Sequence, residues 1–289
     1  MSSEGYIPVR GGKIWYRMIS DNNGIPLLMI HGGPGYAHNY LKPLEKLAID
    51  RPVIVYDQLG CGKSDRPNDP SLWVVDRFRE EVHQLQTVLG LGKVHLLGHS
   101  WGGLLAVEHT LAFPDTVLSM ILASPCLSSS RWMADASRLI KLLPENIRDT
   151  IYTHQASGST QSEEYLLAKK EFERRYLCQL DPLPLPMLES KANLNGLIYE
   201  LMWGPSEFFL TGTLKGYDCT NRLPELSCPV LFTCGRNDEA TPQTITWYSS
   251  FITKSEVTVF EHSAHMAHLE ETESYLKTVQ DYLYLIENQ

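Results

Sequence analysis

Ten residues in the first half of the chain decide the fold: Val94-His95-Leu96-Leu97-Gly98-His99-Ser100-Trp101-Gly102-Gly103. Residues 94–97 form a short apolar run typical of a buried strand, and residues 104–111 have a helical pattern. Between them lies a G-x-S-x-G match centred on Ser100. In a strand–turn–helix context this motif predicts a strained turn that projects the serine hydroxyl, with glycines leaving room for crossing backbones. Ser100 is therefore the candidate nucleophile.

The sequence on either side repeats this alternation of strand and helix. Apolar runs typical of buried strands occur at residues 26–30, 52–56 and 117–123, and the alternation resumes with strands at 229–234 and 256–260. A long amphipathic helix is predicted at 73–89 and a last helix at 272–286, and a β-hairpin is predicted over residues 6–18. The alternation predicts an α/β fold, in which a mostly parallel sheet carries helices on both faces.

One long segment interrupts the alternation. From about residue 126 to residue 215 the sequence has helical patterns and many aromatic residues but no strand-like apolar run. The stretch Pro182-Leu183-Pro184-Leu185-Pro186 is expected to form a non-helical connection within it. We therefore expect a helical cap at 126–215, inserted into a core made of residues 1–125 and 216–289.

Composition narrows the expected partners and compartment. The net charge of −9 and the pI of about 5.6 argue against a nucleic-acid-binding surface. No apolar run reaches the length of a membrane span and no apolar signal segment opens the chain, so no membrane association is expected. The six cysteines are scattered without a C-x-x-C pair, which predicts cytosolic thiols and a cytoplasmic location. Without zinc-like spacing or an H-E-x-x-H motif, neither a metal nor another cofactor is expected.

A nucleophilic serine needs a base, usually histidine, and a carboxylate that orients it. In α/β-hydrolases these follow the serine in the order acid, then histidine. Asp238 comes shortly after the strand predicted at 229–234, whereas its rival Asp218 follows no clear strand. Two histidines, His262 and His265, come shortly after the next predicted strand, and His268 also competes. Position therefore favours Asp238 as the acid and leaves His262 and His265 open as the base.

Acyl transfer also needs donors for the oxyanion that develops at the substrate carbonyl. The backbone amide after the nucleophile, that of Trp101, is one candidate donor. The loop after the first buried strand, His31-Gly32-Gly33-Pro34-Gly35, lets the backbone approach a ligand closely and supplies the Gly33 amide as the second. This loop lacks the G-x-x-x-x-G-K-S/T pattern of a phosphate-binding loop.

Several segments together resemble the proline iminopeptidase (prolyl aminopeptidase) family of α/β-hydrolases. The matching segments are residues 31–35, 57–64 (Asp57-Gln58-Leu59-Gly60-Cys61-Gly62-Lys63-Ser64), 98–103, 203–208, 211–214, 235–239 and 263–270. The resemblance identifies His265 as the catalytic histidine and supports Asp238 as the acid. This sequence differs from the family pattern at Leu59, where many members carry arginine. The expected cap between Leu127 and Leu201 has no stretch that matches the family.

The resemblance implies cleavage of an amide after a free N-terminal residue, often proline. Because such an enzyme must recognise a cationic amine, it needs carboxylates near the nucleophile. Glu239 is adjacent to Asp238, and Glu207 matches a glutamate of the family's cap, so both are expected to bind substrate. Trp203 and Phe208 are candidates for apolar walls around a proline-sized ring, and packing within the cap is an equal alternative for both.

Other activities remain open at this point. A serine at position 100 argues against relatives with an aspartate nucleophile. An amino-acid amidase or a carboxylesterase could use the same triad, and a non-catalytic hydrolase-like binding protein could retain it, because fold does not fix function. The expected partner is a small peptide or an amino-acid amide, and the sequence leaves the oligomeric state open.

Overall fold

An eight-stranded sheet forms the centre of the computed structural model, which describes residues 2–20 and 22–288. Its spatial order is β1-β2-β4-β3-β5-β6-β7-β8. The strands are β1 (Ser2–Val9), β2 (Gly12–Ile19), β3 (Leu27–Ile30), β4 (Val53–Tyr56), β5 (Val94–His99), β6 (Val117–Ala123), β7 (Val230–Gly235) and β8 (Ser255–Phe260). The β1–β2 hairpin and the β2–β4 pair are antiparallel, and the remaining pairs are parallel. The predicted α/β-hydrolase fold is confirmed.

Both faces of the sheet are covered, as the continuous apolar runs predict. In β3, Leu28 and Ile30 belong to one buried apolar cluster, while Leu27 and Met29 belong to a second. Because successive side chains of a strand point to opposite faces, these clusters are the cores on the two sides of the sheet. Every residue of β3, β4 and β5 is buried, so the sheet centre provides a rigid base for the loops at its carboxyl edge.

Helices of the core follow the strands in alternation. They are α1 (Val75–Val88), α2 (Trp101–Ala112), α8 (Pro242–Ser249), α9 (Ala267–Glu270) and α10 (Thr272–Glu287), with 3₁₀ helices at His38–Ile49, Pro70–Leu72, Pro114–Thr116 and Thr220–Glu225. The segment His38–Ile49 is a 3₁₀ helix with Pro43 inside it. Proline removes one backbone hydrogen bond and its ring clashes with the preceding turn, so Pro43 disfavours a continuous α-helix here. None of the helices in the described residues is long and apolar enough to cross a membrane.

Five α-helices lie between β6 and β7 in the described part of the chain: α3 (Ser129–Lys141), α4 (Glu145–Ser157), α5 (Glu163–Tyr176), α6 (Leu185–Ala192) and α7 (Gly196–Met202). Helices α3, α4 and α5 share an apolar cluster of their own, which includes Ile140, Ile151 and Phe172. We retain 126–215 as the proposed bounds of the cap.

The proline-rich stretch of this segment corrects one expectation. Residues 182–184 precede α6, but Leu185 and Pro186 already belong to its first turn, so the non-helical connection ends earlier than expected. The first turn of a helix tolerates proline because its amides have no intrahelical partner.

Candidate active site

The turn at Ser100 is strained in the way the motif predicts. Ser100 joins β5 to α2 with φ 55° and ψ −118°, outside the usual regions for a residue with a side chain. A Cβ on Gly98 would lie 2.3 Å from the carbonyl oxygen of Gly102, and one on Gly102 would lie 2.1 Å from that of Ile30. Only glycine fits both positions, so the crossing backbones require the glycines of the motif.

His265 and Asp238 form a buried pair at the ends of their two loops. The Nδ1 atom of His265 lies 2.8 Å from Oδ1 of Asp238, and the two residues are 3% and 1% exposed. The amide of Ala240 donates to Oδ1 at 2.7 Å, and the Ser124 hydroxyl donates to Oδ2 at 2.6 Å. Because the carboxylate accepts at Nδ1, the imidazole keeps Nε2 free to act as a base.

The rival residues are placed elsewhere. Asp218 is exposed, accepts hydrogen bonds from Ser128 and Thr220, and so stabilises a local turn. His262 is exposed, while His268 is buried with its Nε2 atom 3.2 Å from the Tyr40 carbonyl oxygen. In the described residues, His265 is the histidine that pairs with Asp238.

Two adjoining cavities meet at Ser100. The first is lined by Trp101, Trp132, Trp203 and Leu214, and the second by Tyr40, Leu177, His265 and Met266. Gly33, Ser100 and Glu207 line both. The structure therefore brings the candidate nucleophile, histidine, oxyanion loop and cap glutamate to one place.

The two candidate oxyanion amides are held beside the nucleophile by Gln58. Its side-chain amide donates to the His31 carbonyl at 2.8 Å, and its carbonyl oxygen accepts from the Trp101 indole at 2.9 Å. Gln58 thus ties the loop containing Gly33 to the start of α2. Neither the Gly33 amide nor the Trp101 amide donates to another group in the described residues. Gln58 lies in one of the segments that resemble the family, but no sequence pattern indicated this positioning role.

The imidazole of His31 is neutral and holds the start of the same loop in place. Its Nε2 atom accepts a hydrogen bond of 3.0 Å from the backbone amide of Gln58. The Nδ1 atom therefore carries the hydrogen and donates to the Gly32 carbonyl at 2.9 Å. Burial lowers the pKa of His31 to about 4, and the nearby Asp57 charge opposes this only in part. The loop is therefore positioned by fully paired groups rather than by packing alone.

The two candidate amine-binding glutamates lie in an acidic region beside the cavities. Burial and then the charge of Glu207 raise the pKa of the Glu239 carboxyl well above its ordinary value. Burial also raises the pKa of Glu207, with the Tyr199 hydroxyl opposing. Both carboxylate oxygens of Glu239 are buried and have no hydrogen-bond partner among the described residues. A buried carboxyl group without a hydrogen-bond partner is favourable only when it is protonated or paired with a cation.

The candidate apolar walls separate into two kinds of residue. Trp203 lines the first cavity, and its ring meets that of Trp132 edge to face at 5.7 Å. Phe208 lines neither cavity. It packs in the apolar cluster shared by α3, α4 and α5, with its ring centre 4.5 Å from that of Phe172. These contacts favour the packing alternative for Phe208, and its role as a substrate wall stays a prediction.

Trp132, which no sequence pattern indicated as a site residue, lines the first cavity beside Ser100. Its indole donates to the Glu207 carbonyl at 3.0 Å, and its ring lies edge to face with that of His265 at 5.6 Å. No local motif marks a tryptophan within an amphipathic helix as a site residue, because the same pattern serves helix packing.

In the residues that the structure describes, no group of three or more histidines, cysteines or acids is placed to hold a metal ion.

Comparisons with known proteins place this site in a family. A model of the alpha/beta hydrolase fold matches residues 25–272. A proline iminopeptidase from Heyndrickxia coagulans is 48% identical over 98% of this chain and 99% of its own, and one from Clostridium botulinum is 36% identical over 97% and 98%. Among solved structures, VinJ has a TM-score of 0.95 at 32% identity, covering 98% of this chain and 99% of its own. A proline iminopeptidase from Mycobacterium smegmatis has a TM-score of 0.92 at 34% identity, covering 98% of both chains.

Fold and site together define an α/β-hydrolase whose elbow carries a serine. Identity of this degree over nearly the whole length goes further than the shared fold. The chain belongs to the proline iminopeptidase family.

Proposed function

We propose that this protein is a serine aminopeptidase that releases an N-terminal residue, proline in the first place, from short peptides or amino-acid amides. The names of the relatives support this activity. Within the chain, the site residues proposed for it are Ser100 as nucleophile, His265 as base and Asp238 as the orienting acid.

The proposed chemistry follows from the proton positions. His265 Nε2 takes the proton of the Ser100 hydroxyl as the oxygen attacks the substrate carbonyl. Asp238 holds the imidazolium in place by accepting the hydrogen bond from Nδ1. The same proton passes to the leaving amine when the amide bond breaks, which leaves an acyl-serine. Water then attacks the acyl-serine with His265 again as base, releasing the amino acid and restoring the hydroxyl.

The proposed oxyanion donors are the backbone amides of Gly33 and Trp101. Both line the first cavity with Ser100, and both are free to donate among the described groups. Donors that are held before the substrate arrives stabilise the developing charge without reorganising, and loss of one such donor typically costs about 10²- to 10³-fold in kcat.

One observation carries the preference for a free-amine substrate: the buried, unpartnered carboxyl group of Glu239 beside Glu207. A buried charge without a partner costs several kcal/mol, so the site is incomplete until a cation or proton arrives. The protonated amine of an N-terminal residue supplies that cation and donates charge-assisted hydrogen bonds. An acyl ester without an amine would leave this cost in place.

The first cavity suits the side chain of the released residue. Trp132 and Trp203 form its apolar walls, and Ser100 lies at its edge. A proline ring is apolar and compact, and aromatic faces bind such rings with large contact area and little loss of side-chain freedom.

All six cysteines are free and buried, which agrees with the reducing compartment in the proposed cytoplasmic location.

A substrate panel on the wild-type protein tests the proposal. Proline p-nitroanilide should be hydrolysed with a kcat/KM at least about 10-fold above its N-acetylated form, because acetylation removes the charge that Glu207 and Glu239 recognise. Equal rates on both, or a clear preference for p-nitrophenyl acetate, would favour a general esterase. No turnover of any substrate would favour a binding protein that retains the triad.

A further inference from the structure

The proposed mechanism leaves one fully buried polar side chain beside the nucleophile unassigned, that of His99. His99 occupies the first of the two variable positions of the G-x-S-x-G motif and is 1% exposed. Both of its ring nitrogens have partners. Nε2 lies 3.1 Å from the carbonyl oxygen of His265, and Nδ1 lies 2.9 Å from the hydroxyl of Tyr40.

The partners determine the direction of every hydrogen bond in this group. A carbonyl oxygen only accepts, so Nε2 of His99 carries the hydrogen and donates to His265. Nδ1 then accepts from the Tyr40 hydroxyl, whose oxygen accepts from the Gly32 amide at 2.6 Å. The bonds run in one direction, from the Gly32 amide through Tyr40 and His99 to the His265 carbonyl.

A neutral imidazole is required for this chain, and the surroundings keep it neutral. Burial, followed by the neighbouring His265 and His268, holds the pKa of His99 well below its ordinary value. The ring of Tyr40 also contacts that of His99, with centres 5.2 Å apart. Each donor and acceptor on the two side chains is therefore matched within a dry interior, where such chains are strongest.

The two ends of the chain belong to different parts of the proposed machinery. Gly32 directly precedes Gly33, whose amide is a proposed oxyanion donor. The His265 carbonyl belongs to the proposed base. These loops are far apart in sequence, and His99 precedes the nucleophile that lies between them. The series of hydrogen bonds thus connects the proposed oxyanion loop, the residue before the nucleophile and the proposed base. The distances between these three groups decide the rate.

We propose that His99, acting through Tyr40, is a positioning residue that holds the Gly32–Gly33 loop and the His265 loop at a common distance from Ser100. The inference rests on the proposed function, since it concerns acyl transfer at Ser100. Catalytic groups must be held within about 0.5 Å of productive geometry, and a displacement of about 1 Å can lower the rate by about 10²-fold.

Tyr40→Phe is the decisive variant, because it removes one hydroxyl and keeps the ring. It leaves the Gly32 amide without its acceptor and His99 without its donor. We expect kcat for proline p-nitroanilide to fall by about 10- to 100-fold with KM changed by less than about threefold. His99→Leu should lower kcat to a similar degree, whereas His99→Gln, which can still donate to the His265 carbonyl, should recover part of it.

The double variant Tyr40→Phe/His99→Leu tests whether the two residues act as one chain. Its loss of kcat should be close to that of either single variant rather than the product of both, because the second change breaks a chain that is already broken. Tyr275→Phe is the matched control. Tyr275 is also fully buried, bonds to the Thr233 hydroxyl at 3.0 Å and packs 5.9 Å from His268 between ring centres. It should lose thermal stability without a change in kcat.

The inference and the proposed function fail in different ways. If Ser100→Ala keeps its activity, the function is wrong. If Ser100 is essential but Tyr40→Phe and His99→Leu lose only thermal stability, the positioning role is overturned and the function stands. An equal loss of kcat in Tyr275→Phe would also overturn it, because the effect would then belong to the core in general.

Discussion

The carbonyl oxygen of Tyr176, at the end of α5, accepts a hydrogen bond of 3.2 Å from the backbone amide of His265. The same oxygen accepts from the Glu239 amide at 3.2 Å, and the next carbonyl, that of Leu177, accepts from Met266 at 3.0 Å. The last carbonyls of a helix have no intrahelical partner, so they are available for such contacts. One helix end thereby joins the loop of the proposed base to the loop of the proposed amine-binding carboxylate.

Replacing Ser100 by alanine should abolish turnover while the fold persists. The change removes the hydroxyl that forms the acyl-enzyme, so kcat should fall by about 10⁴-fold or more. Steady-state assays on proline p-nitroanilide measure the loss, and circular dichroism reports the fold. A folded Ser100→Ala variant with near-normal turnover would show that another group is the nucleophile. A chelator should leave the wild-type rate unchanged.

The variant Glu207→Gln should separate substrates by charge. It keeps the shape of the side chain and removes one carboxylate from the amine site, where a charge-assisted hydrogen bond contributes about 1.5–3 kcal/mol. The kcat/KM on a free-amine substrate should therefore fall by about 10- to 150-fold, whereas hydrolysis of p-nitrophenyl acetate should fall much less.

The control for this prediction is Glu200→Gln, which removes a carboxylate from an exposed position on α7 in the same region of the chain. It should change neither rate. If Glu207→Gln lowers both substrates by the same factor, or leaves the amine substrate unaffected, Glu207 is not an amine-binding group and the preference for a free amine loses its basis.

Ser124 offers a test of how the acid is held. Its hydroxyl donates to Asp238 Oδ2 at 2.6 Å, and its φ is 48°. Ser124→Gly removes the hydroxyl without adding backbone strain, because glycine adopts positive φ readily. Loss of a hydrogen bond to a charged group should lower kcat by about 10-fold or more, with little change in KM.

Ser20 provides a matched substitution away from the site, since it also has a positive φ, of 69°. Ser20→Gly makes the same change in backbone freedom and should leave kcat at the wild-type value. Equal kcat in the Ser124→Gly and wild-type proteins would mean that the remaining donors hold Asp238 well enough alone.

Buried neutral histidines predict a loss of stability as the pH falls. Burial lowers the pKa of His31 to about 4 and those of His109 and His268 to about 3. An unfolded histidine has a pKa of about 6.5, so below that value the unfolded chain binds protons that the folded chain does not. Each such group then lowers the free energy of unfolding by up to about 1.4 kcal/mol per pH unit until its folded pKa is reached.

His109 isolates this effect because it lies on α2 with Gln86 as its partner, away from the site. In His109→Gln, urea unfolding between about pH 5 and pH 6 should show a slope of stability against pH that is smaller by up to about 1.4 kcal/mol per unit. The comparison of variants is needed because the raised pKa of Glu239 acts in the opposite direction over the same range. An unchanged slope would mean that His109 is protonated in the folded protein.

Sequence patterns predicted the sheet and the position of the candidate triad because both depend on local signals. Each of Ser100, Asp238 and His265 follows a strand of the sheet, and these strands are visible in the sequence as apolar runs. The choice between His262 and His265 needed the family resemblance, since both lie in the same loop. The α/β class followed from the alternation of strands and helices, whereas the hydrolase fold within that class needed the serine motif and the resemblance.

The walls of the site could not be predicted in the same way. Trp132 and Phe208 are both aromatic residues within the segment between β6 and β7, yet one lines the cavity with Ser100 and the other fills the interior of the helices. Which of them faces the substrate depends on how the helices pack against each other, and that is decided by contacts between residues distant in the chain. The contacts of Ser124 and Gln58 were missed for the same reason.

The separate apolar cluster of α3, α4 and α5 has a consequence for engineering and for divergence within the family. Because residues such as Ile151 and Phe172 pack among themselves, their exchange leaves the interior of the sheet undisturbed. The residues of this cluster could therefore be exchanged as a group for those of a relative, provided that α5 still presents the carbonyl groups of Tyr176 and Leu177. The packing beside the proposed substrate site could then diverge within the family while the interior of the sheet is inherited unchanged.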